Sequence, residues 1–568
     1  MDDAASRRPW TRAQILAGMA TVATAVAIVA YFHNRFWWAP DEGAYAWVAD
    51  RIAHGAVLNR DVHDPHGGYV HFLHALSFEV FGRDFLSLRY PLALFTVVQS
   101  AIVFALLRHA GIVVAAAGGL AMAGLTFVQF INPTANWYAL FLTAVLVAVL
   151  AGDAGKSRGG LVGIGFLVAT VFLFRQLSGV FVAIGTLSYL LLLPWPSVQL
   201  PPNRPIVACI LAATAIAALA AYLATKADSA ALLLYGILPL GVLVAVALQT
   251  RIPNRQAIAA VAFLMLGGIA AALPLALYHL AHGSLGGWWQ DAIVSALSLT
   301  ELDFFERTSY ARLLILAAGG LVSASPIAIV NGLFWLLVLL APAALGGAVL
   351  HALLKRRRTV HPLAFIALFY SLVSIHYAIP IYALFGAGLA FAGLLAIAPP
   401  RLPRAGVVGA TLFVVVVGLG FQAGQPLFRG VAGTIRGDWY ALDALGPPGA
   451  SIRVTADDRA TYGDVLAFID RHAAPAESIL GLPMTPELYF LSQRNPPVPF
   501  AIAPLALRTD NDVAEALREI ESAPPAVVVF NPGDKYTTPH VRELMDRLSS
   551  SYPNCRTIGP FELHARTC

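Results

Sequence analysis

Two carboxylates, Asp41 and Glu42, follow directly on the aromatic run Trp37-Trp38-Ala39-Pro40. Tryptophans beside an apolar run mark a membrane–water boundary. Acids at such a boundary are costly unless water solvates them or a function uses them, and the chemistry open to a carboxylate there is proton transfer. A second polar stretch, Arg60-Asp61-Val62-His63-Asp64-Pro65-His66-Gly67-Gly68, leads into Tyr69 and an aromatic-rich run. Within it His63, His66, His71 and His74 have spacings that suit one helical face and invite a metal reading. A metal site needs converging ligands, and histidines in interfacial loops are commoner without one, so no metal is expected. A third feature is Arg175-Gln176, which interrupts the apolar stretch 161–193. An arginine inside such a stretch either holds a partner or snorkels to the interface from a helix end. His376 and Tyr377 close a late apolar run, where they line a cavity or simply pack.

The elements that position these groups are mostly membrane helices. Of 568 residues, 58% are hydrophobic and 12% charged, with a mean hydropathy of +0.70. Soluble chains carry about twice that charged share, and no single soluble core could bury so much apolar surface, so lipid must solvate most of it. The net charge of +5 sits in short basic loops, which fits membrane topology and excludes nucleic acid as the partner. A spanning helix needs about 20 mostly apolar residues. Candidates are 13–32, 88–107, 111–130, 138–152, 161–175, 177–193, 206–225, 230–250, 257–281, 327–353, 363–378, 381–398 and 405–423. The first follows Arg7, Arg8 and Arg12 and is too long for a signal h-region, so it reads as a signal anchor. Those arginines, with Arg108, Lys156/Arg158, Arg204, Arg251/Arg255, Lys355 to Arg358 and Arg401/Arg404, fall on alternate sides of consecutive spans. If all are cytoplasmic, thirteen spans put the N-terminus inside and the C-terminus outside.

The expected fold is therefore mainly α: a polytopic membrane helix bundle with a small C-terminal α/β domain. Residues 1–12 form a cytoplasmic N-terminus, 13–423 the membrane domain and 424–568 the extracytoplasmic domain. The outside face also receives 33–87 and 282–326, the latter carrying Trp288 and Trp289 as interfacial anchors or stacking groups. In loop 33–87, Tyr45, Val48, Ala49, Ile52 and Ala53 recur at helical spacing opposite Asp50, Arg51 and His54. This predicts a helix in the interface plane with Asp41 near its N-terminus, as a cap or as a working acid. Tyr69 to Phe81 predicts a second such helix. The tail mixes helical stretches, capped by residues such as Thr485 and Asp510, with β-like runs such as Ala526 to Phe530. Cys209 reads as packing; Cys555 and Cys568 pair if the tail faces an oxidising compartment.

Taken in order, these motifs resemble a GT-C glycosyltransferase that uses polyprenyl-phosphate-linked sugars, akin to protein O-mannosyltransferases and the lipid A aminoarabinose transferase. The resemblance rests on Asp41-Glu42 after the first span, Asp64-Pro65-His66-Gly67-Gly68-Tyr69, Phe174-Arg175-Gln176 between two short helices, His376-Tyr377-Ala378-Ile379-Pro380, and Leu482-Pro483 through Arg494-Asn495-Pro496 in the tail. It departs at Asp64, where relatives are often basic, and in Asn132 to Trp137, where Asn136 stands at the position of a second acid. The resemblance implies a membrane glycosyltransferase of a bacterial inner membrane, acting by inversion on its outer face. Its partners are a polyprenyl-phosphate sugar donor, a lipid, glycan or protein acceptor, and membrane lipids. It implies Asp41 as the base, helped by Glu42, and Arg175, Gln176, His66, Asp64, Tyr69, His376 and Tyr377 around the donor phosphate and sugar. No cofactor is certain, and a divalent cation is possible. The rival readings are an O-antigen-ligase-like transferase and a non-catalytic transporter or scaffold.

Overall fold

The computed structural model describes residues 9–152, 155, 157–193, 205–298, 309–355, 360–421 and 443–568. Arg7, Arg8, Lys156, Arg204 and Arg356 to Arg358 of the charge pattern lie outside the described residues, as do parts of the 1–12, 282–326 and 424–568 segments. In chain order the first helices are α1 (Arg12–Phe32), α2 (Ala39–Ala53), α3 (Tyr69–Phe81), α4 (Phe85–Leu107), α5 (Ile112–Gly124) and α6 (Ala135–Ala151). They continue as α7 (Arg158–Phe174), α8 (Gln176–Leu192), α9 (Ile206–Lys226), α10 (Ser229–Gln249) and α11 (Asn254–Ala281). After these come α12 (Tyr310–Leu321), α13 (Pro326–Leu354), α14 (Pro362–Tyr370), α15 (Pro380–Ile397) and α16 (Leu402–Phe421).

Each of the thirteen apolar stretches read from the sequence contains a helix, although in 111–130 it ends at Gly124, in 363–378 it passes into a 3-10 turn at Ser371, and 422–423 lie outside the described residues. Among the described residues, eight helices are long and apolar enough to cross a membrane, and six shorter ones are also apolar. The apolar stretch 161–193 breaks at Arg175, whose extended backbone (φ −145°, ψ 106°) separates α7 from α8. The helix α12 was not anticipated, because 12 residues fall short of a spanning signal. Many helix faces carry large exposed apolar side chains, such as Leu273, Leu277 and Leu280 on α11. In water this would be a liability; against lipid it is the expected surface. The helix α3 shows the inverted pattern clearly, with His71, His74 and Ser77 buried and Leu76, Val80 and Phe81 exposed.

The tail is a small α/β unit. Its four-stranded sheet has the order β3-β4-β6-β5, where β3 is Ile479–Leu482, β4 Val527–Phe530, β5 Asn554–Ile558 and β6 Phe561–Ala565. The pair β3–β4 is parallel and the other pairs are antiparallel; β1 (Asp443–Ala444) and β2 (Arg453–Val454) form a separate ribbon. β3 and β4 are buried at every position, as continuous apolar runs in a covered parallel pair must be. The helices α17 (Ala456–His472), α18 (Pro486–Ser492), α19 (Asp510–Ser522) and α20 (Pro539–Leu548) complete the unit. Thr509 caps α19, with Asp512 closing the box, so Asp510 is not the cap; Thr485 stands at the cap position of α18 without a side-chain hydrogen bond. Cys555 and Cys568 are disulfide-bonded, and Cys209 is free.

The tail docks onto the first outer loop and covers α2. Arg453 exchanges backbone hydrogen bonds with Asn34 and Phe36, each at 2.7 Å. Arg83 grips Asp50 at 2.7 Å and the Phe490 carbonyl at 2.7 Å. Trp47 Nε1 donates to Asn495 Oδ1 at 3.3 Å. A Cβ built at Gly43 would stand 2.3 Å from the Glu487 backbone nitrogen, so only glycine lets α2 and α18 approach this closely. The helix is thus sandwiched between tail and membrane domain, with Glu42, Gly43 and Tyr45 through Ala49 all buried.

Candidate active site

Asp41 and Glu42 sit in the first turn of α2, where the helix dipole favours negative charge. Trp38 holds the cap position without a side-chain bond, so Asp41 is not the cap. Neighbours on a helix point about 100° apart, and the two acids diverge accordingly. Glu42 is fully buried and takes both of its oxygens to Arg89, at 2.6 Å each. The same guanidinium donates to the carbonyls of His33 and Phe36, at 2.8 and 2.6 Å. Burial pushes the Glu42 carboxyl up and Arg89 pulls it back. The pair ties the end of α1 to α2 and α4, which gives Glu42 an anchoring role beside Asp41.

Asp41 has no such anchor. It is half-buried and accepts a 3.0 Å hydrogen bond at Oδ2 from Asn132 Nδ2, itself fully buried. Burial pushes the Asp41 carboxyl up to about 6, opposed by the Asn132 bond and the positive charge of Lys535. Asn136, which the resemblance sets at the position of a second acid, does not make this contact. Thr134 caps α6, which draws Asn136 into the helix, where its Nδ2 turns to Thr134 Oγ1 at 3.1 Å, and leaves Asn132 in the preceding loop to meet Asp41.

Arg175 is half-buried at the junction of α7 and α8, and among the described residues no carboxylate pairs with it. Its Nη2 faces the Tyr382 hydroxyl at 3.5 Å. Tyr382, on α15, lies within electrostatic reach of both Arg175 and Asp41. The rings of His376 and Tyr377 flank it at 5.7 and 5.8 Å, and His376 Nε2 is buried without a hydrogen-bond partner. The loop between β4 and α20 brings Tyr536 within electrostatic reach of Asp41, Tyr377 and Tyr382. A carboxylate, a guanidinium and a group of phenols from four separate parts of the chain therefore share one neighbourhood. Tyr382, Asn132, Lys535 and Tyr536 were not singled out from the sequence, and no local pattern marks them.

The remaining expected residues separate into neighbouring tasks. Gln176 Nε2 donates to the carbonyls of Pro65 and Ala292, both at 2.8 Å, and so fastens the polar turn to the second outer segment. The turn itself is close-packed: a Cβ at Gly67 would lie 2.4 Å from the Leu173 carbonyl oxygen, and Trp288 Nε1 donates to the Gly67 carbonyl at 3.0 Å. The Tyr69 hydroxyl donates to the Ala271 carbonyl of α11. The four histidines do not share a face. His63 pairs with Asp291 at 2.8 Å and His74 with Tyr138 at 2.9 Å. His66 and His71 instead converge on Asp64, each with a ring nitrogen 2.7 Å from its Oδ1. Burial opposes the Asp64 charge, but His71 and His66 outweigh it and hold this carboxyl well below its ordinary range. These three groups lie close enough together to hold a metal ion.

A cavity of about 270 Å³ opens beside the same turn, between the outer loop and the tail. His63, Asp64, Asp291, Arg508, Glu515 and Glu519 supply its polar lining, and Phe500, Ile502 and Leu505 part of its apolar lining. Asp41 and Arg175 are not among its walls.

No protein-family model matches the chain, and no curated protein matches it. Among solved structures it is similar to the oligosaccharyltransferase of Archaeoglobus fulgidus in the apo form, with 12% identity, a TM-score of 0.43, and coverage of 90% of this chain and 69% of that one. It is also similar to ArnT from Cupriavidus metallidurans in the apo state, with 13% identity, a TM-score of 0.38, and 97% of each chain covered. The same ArnT bound to undecaprenyl phosphate gives 14% identity, a TM-score of 0.39, and coverage of 97% of this chain and 98% of that one.

Proposed function

We propose that this chain transfers a sugar from a polyprenyl-phosphate donor to a lipid, glycan or protein acceptor at the outer face of the membrane, as a GT-C glycosyltransferase does. The observation that carries the reading is the shared neighbourhood of Asp41 and Arg175 around Tyr382, each charge lacking, among the described residues, an oppositely charged residue bonded to it. Burying two such groups without a structural ion pair is costly, and their separate chemistries complete one reaction. The acceptor hydroxyl or amine gives its proton to Asp41 as its oxygen or nitrogen bonds to the anomeric carbon. The bond from that carbon to the phosphate oxygen breaks at the same time. The negative charge that develops on the leaving polyprenyl phosphate is held by Arg175, a fork of fixed donors suited to phosphate. A single displacement of this kind inverts the anomeric centre. The Asn132 bond keeps Asp41 ionised near neutrality, as a base must be.

The Cys555–Cys568 bond supports placing the tail in an oxidising compartment, hence the C-terminus outside; the N-terminus inside rests on the thirteen-span reading of the basic loops, and an inner bacterial membrane on the sequence resemblance. The tail, through Lys535 and Tyr536, forms part of the acceptor side. Donor binding tests the assignment of Arg175. Purified protein in lipid nanodiscs should bind a labelled polyprenyl-phosphate sugar, and Arg175→Gln should weaken that binding at least about tenfold, as expected for loss of a charge-assisted contact. Equal binding by both proteins overturns the assignment.

A further inference from the structure

The Asp64–His66–His71 cluster goes beyond the transfer reading and stands on residues which that reading does not use. We propose that the Asp64 carboxylate, His66 Nδ1 and His71 Nε2 bind one divalent transition-metal ion of the zinc type, leaving a further position for water or a phosphate oxygen.

Convergence is the first argument. The three groups offer ligand atoms that all lie within 4.8 Å of one another. The turn that carries Asp64 and His66 is fixed by Asn59 Nδ2 on the Asp64 carbonyl at 3.1 Å and by Gln176 on Pro65. His71 comes from the first turn of α3. Two rigid elements therefore present the set.

The second argument is His71 itself. It is fully buried, and among the described residues Nδ1 has no hydrogen-bond partner while Nε2 has Asp64 alone before it. Its Nε2 stands 2.7 Å from Asp64 Oδ1 but is not aligned to share a proton with it. A poorly satisfied buried imidazole is expensive, and a common ligand in front of Nε2 and Asp64 Oδ1 would satisfy that nitrogen. The neighbouring His74 shows the ordinary solution on the same helix, a hydrogen bond to Tyr138 at 2.9 Å.

The third argument is the outer shell. A metal-bound histidine commonly uses its far nitrogen to hold an oriented partner. His66 Nε2 meets the Tyr45 hydroxyl at 3.0 Å, and Tyr45 is placed in turn by Thr134 Oγ1 and the Ala135 backbone. Nδ1, which here hydrogen-bonds Asp64 Oδ1 at 2.7 Å, is then the nitrogen on the side of the ion. Two imidazoles and one carboxylate, with an open fourth position, are a donor set that zinc-type ions accept. Tetrahedral bonds of about 2.0 Å set ligand atoms about 3.3 Å apart, so the two 2.7 Å contacts need to open by roughly half an ångström, within reach of side-chain rotation.

The test uses the full chain in detergent, stripped with chelator and titrated with Co²⁺ and Zn²⁺, with bound metal counted and the visible absorption of Co²⁺ recorded. The proposal expects one ion per chain, with tetrahedral Co²⁺ bands. His71→Gln and Asp64→Asn should lose the ion, Tyr45→Phe should bind about 10- to 100-fold more weakly, and His74→Gln should bind as wild type does. Absence of binding by wild type, or equal binding by the His71 and Asp64 variants, overturns the proposal and leaves Asp64 as a carboxylate shared between two histidines. Should those variants fail to fold, X-ray absorption of zinc-loaded wild type decides: two imidazoles with oxygen support the site, and any other count of imidazoles, or sulfur, refutes it. None of these readouts depends on sugar transfer, so failure here leaves the role of Asp41 untouched.

Discussion

Replacing Asn132 with alanine should move the acid limb of the pH–rate profile upward. Asn132 donates the hydrogen bond that opposes the burial of Asp41. A bond to a charged group is worth about 1.5–3 kcal/mol when buried. Asp41 is only half-buried, so water takes over part of that role, and about 1 kcal/mol is a fair residue of the effect. At 1.36 kcal/mol per unit, the Asp41 carboxyl should titrate about 0.7 units higher in Asn132→Ala. The general base must be ionised, so activity rises through about pH 6 in wild type and later in the variant. At pH 6 the variant's ionised fraction falls from roughly a half to roughly a sixth, a threefold loss of kcat/KM, while at pH 8 the two proteins differ little. The assay is kcat/KM for transfer from a polyprenyl-phosphate sugar, measured from pH 5 to 8.5. A limb that stays in place, or that moves to lower pH, refutes the assignment of Asn132 as the group that tunes the base.

Two further predictions concern the groups that support the site. Arg89→Met leaves Glu42 buried without its cation, and breaking a buried pair in this way costs about 3–5 kcal/mol; thermal unfolding in detergent should show a large loss, partly restored in the Arg89→Met/Glu42→Gln double variant. Glu487 in the tail is buried, and burial pushes its carboxyl up to about 8 against the Tyr462 hydrogen bond at 2.9 Å. Because the folded value lies above the unfolded one, the stability it contributes is complete below about pH 4.5 and lost progressively up to about pH 8. Wild type should therefore lose up to a few kcal/mol across that window relative to Glu487→Gln, and parallel unfolding curves for the two proteins would contradict this.

The membrane helices were legible because lipid imposes a long apolar run on every span, and the break at Arg175 was legible because one charge inside such a run stands out. The pairing of Asp41 was not. Asn132 and Asn136 are both short amides in one loop, and the choice between them depends on where Thr134 starts α6. The burial of α2 was hidden for a different reason. Its sequence carries Asp50, Arg51 and His54 on a face that suggests water, but Arg83 and the docked tail cover part of that face. Lys535 and Tyr536 reach Asp41 across nearly the whole chain length, and contacts of that range leave no periodicity to read. The histidines misled by their spacing, since the Asp64–Gly68 turn, and not a helix, decides which of them meet.

The most direct test of the central claim is transfer by Asp41→Asn. Asparagine keeps the size of the side chain and can still accept the Asn132 bond, so the fold and donor binding should survive. Removing a general base typically lowers rate by about 10²–10⁴-fold. The account predicts that wild-type protein moves labelled sugar from a polyprenyl-phosphate donor, and that Asp41→Asn binds the donor equally well but transfers at least about a hundredfold more slowly at pH 8, with the gap narrowing below about pH 6 as the wild-type base protonates. Transfer at the wild-type rate by Asp41→Asn would contradict it.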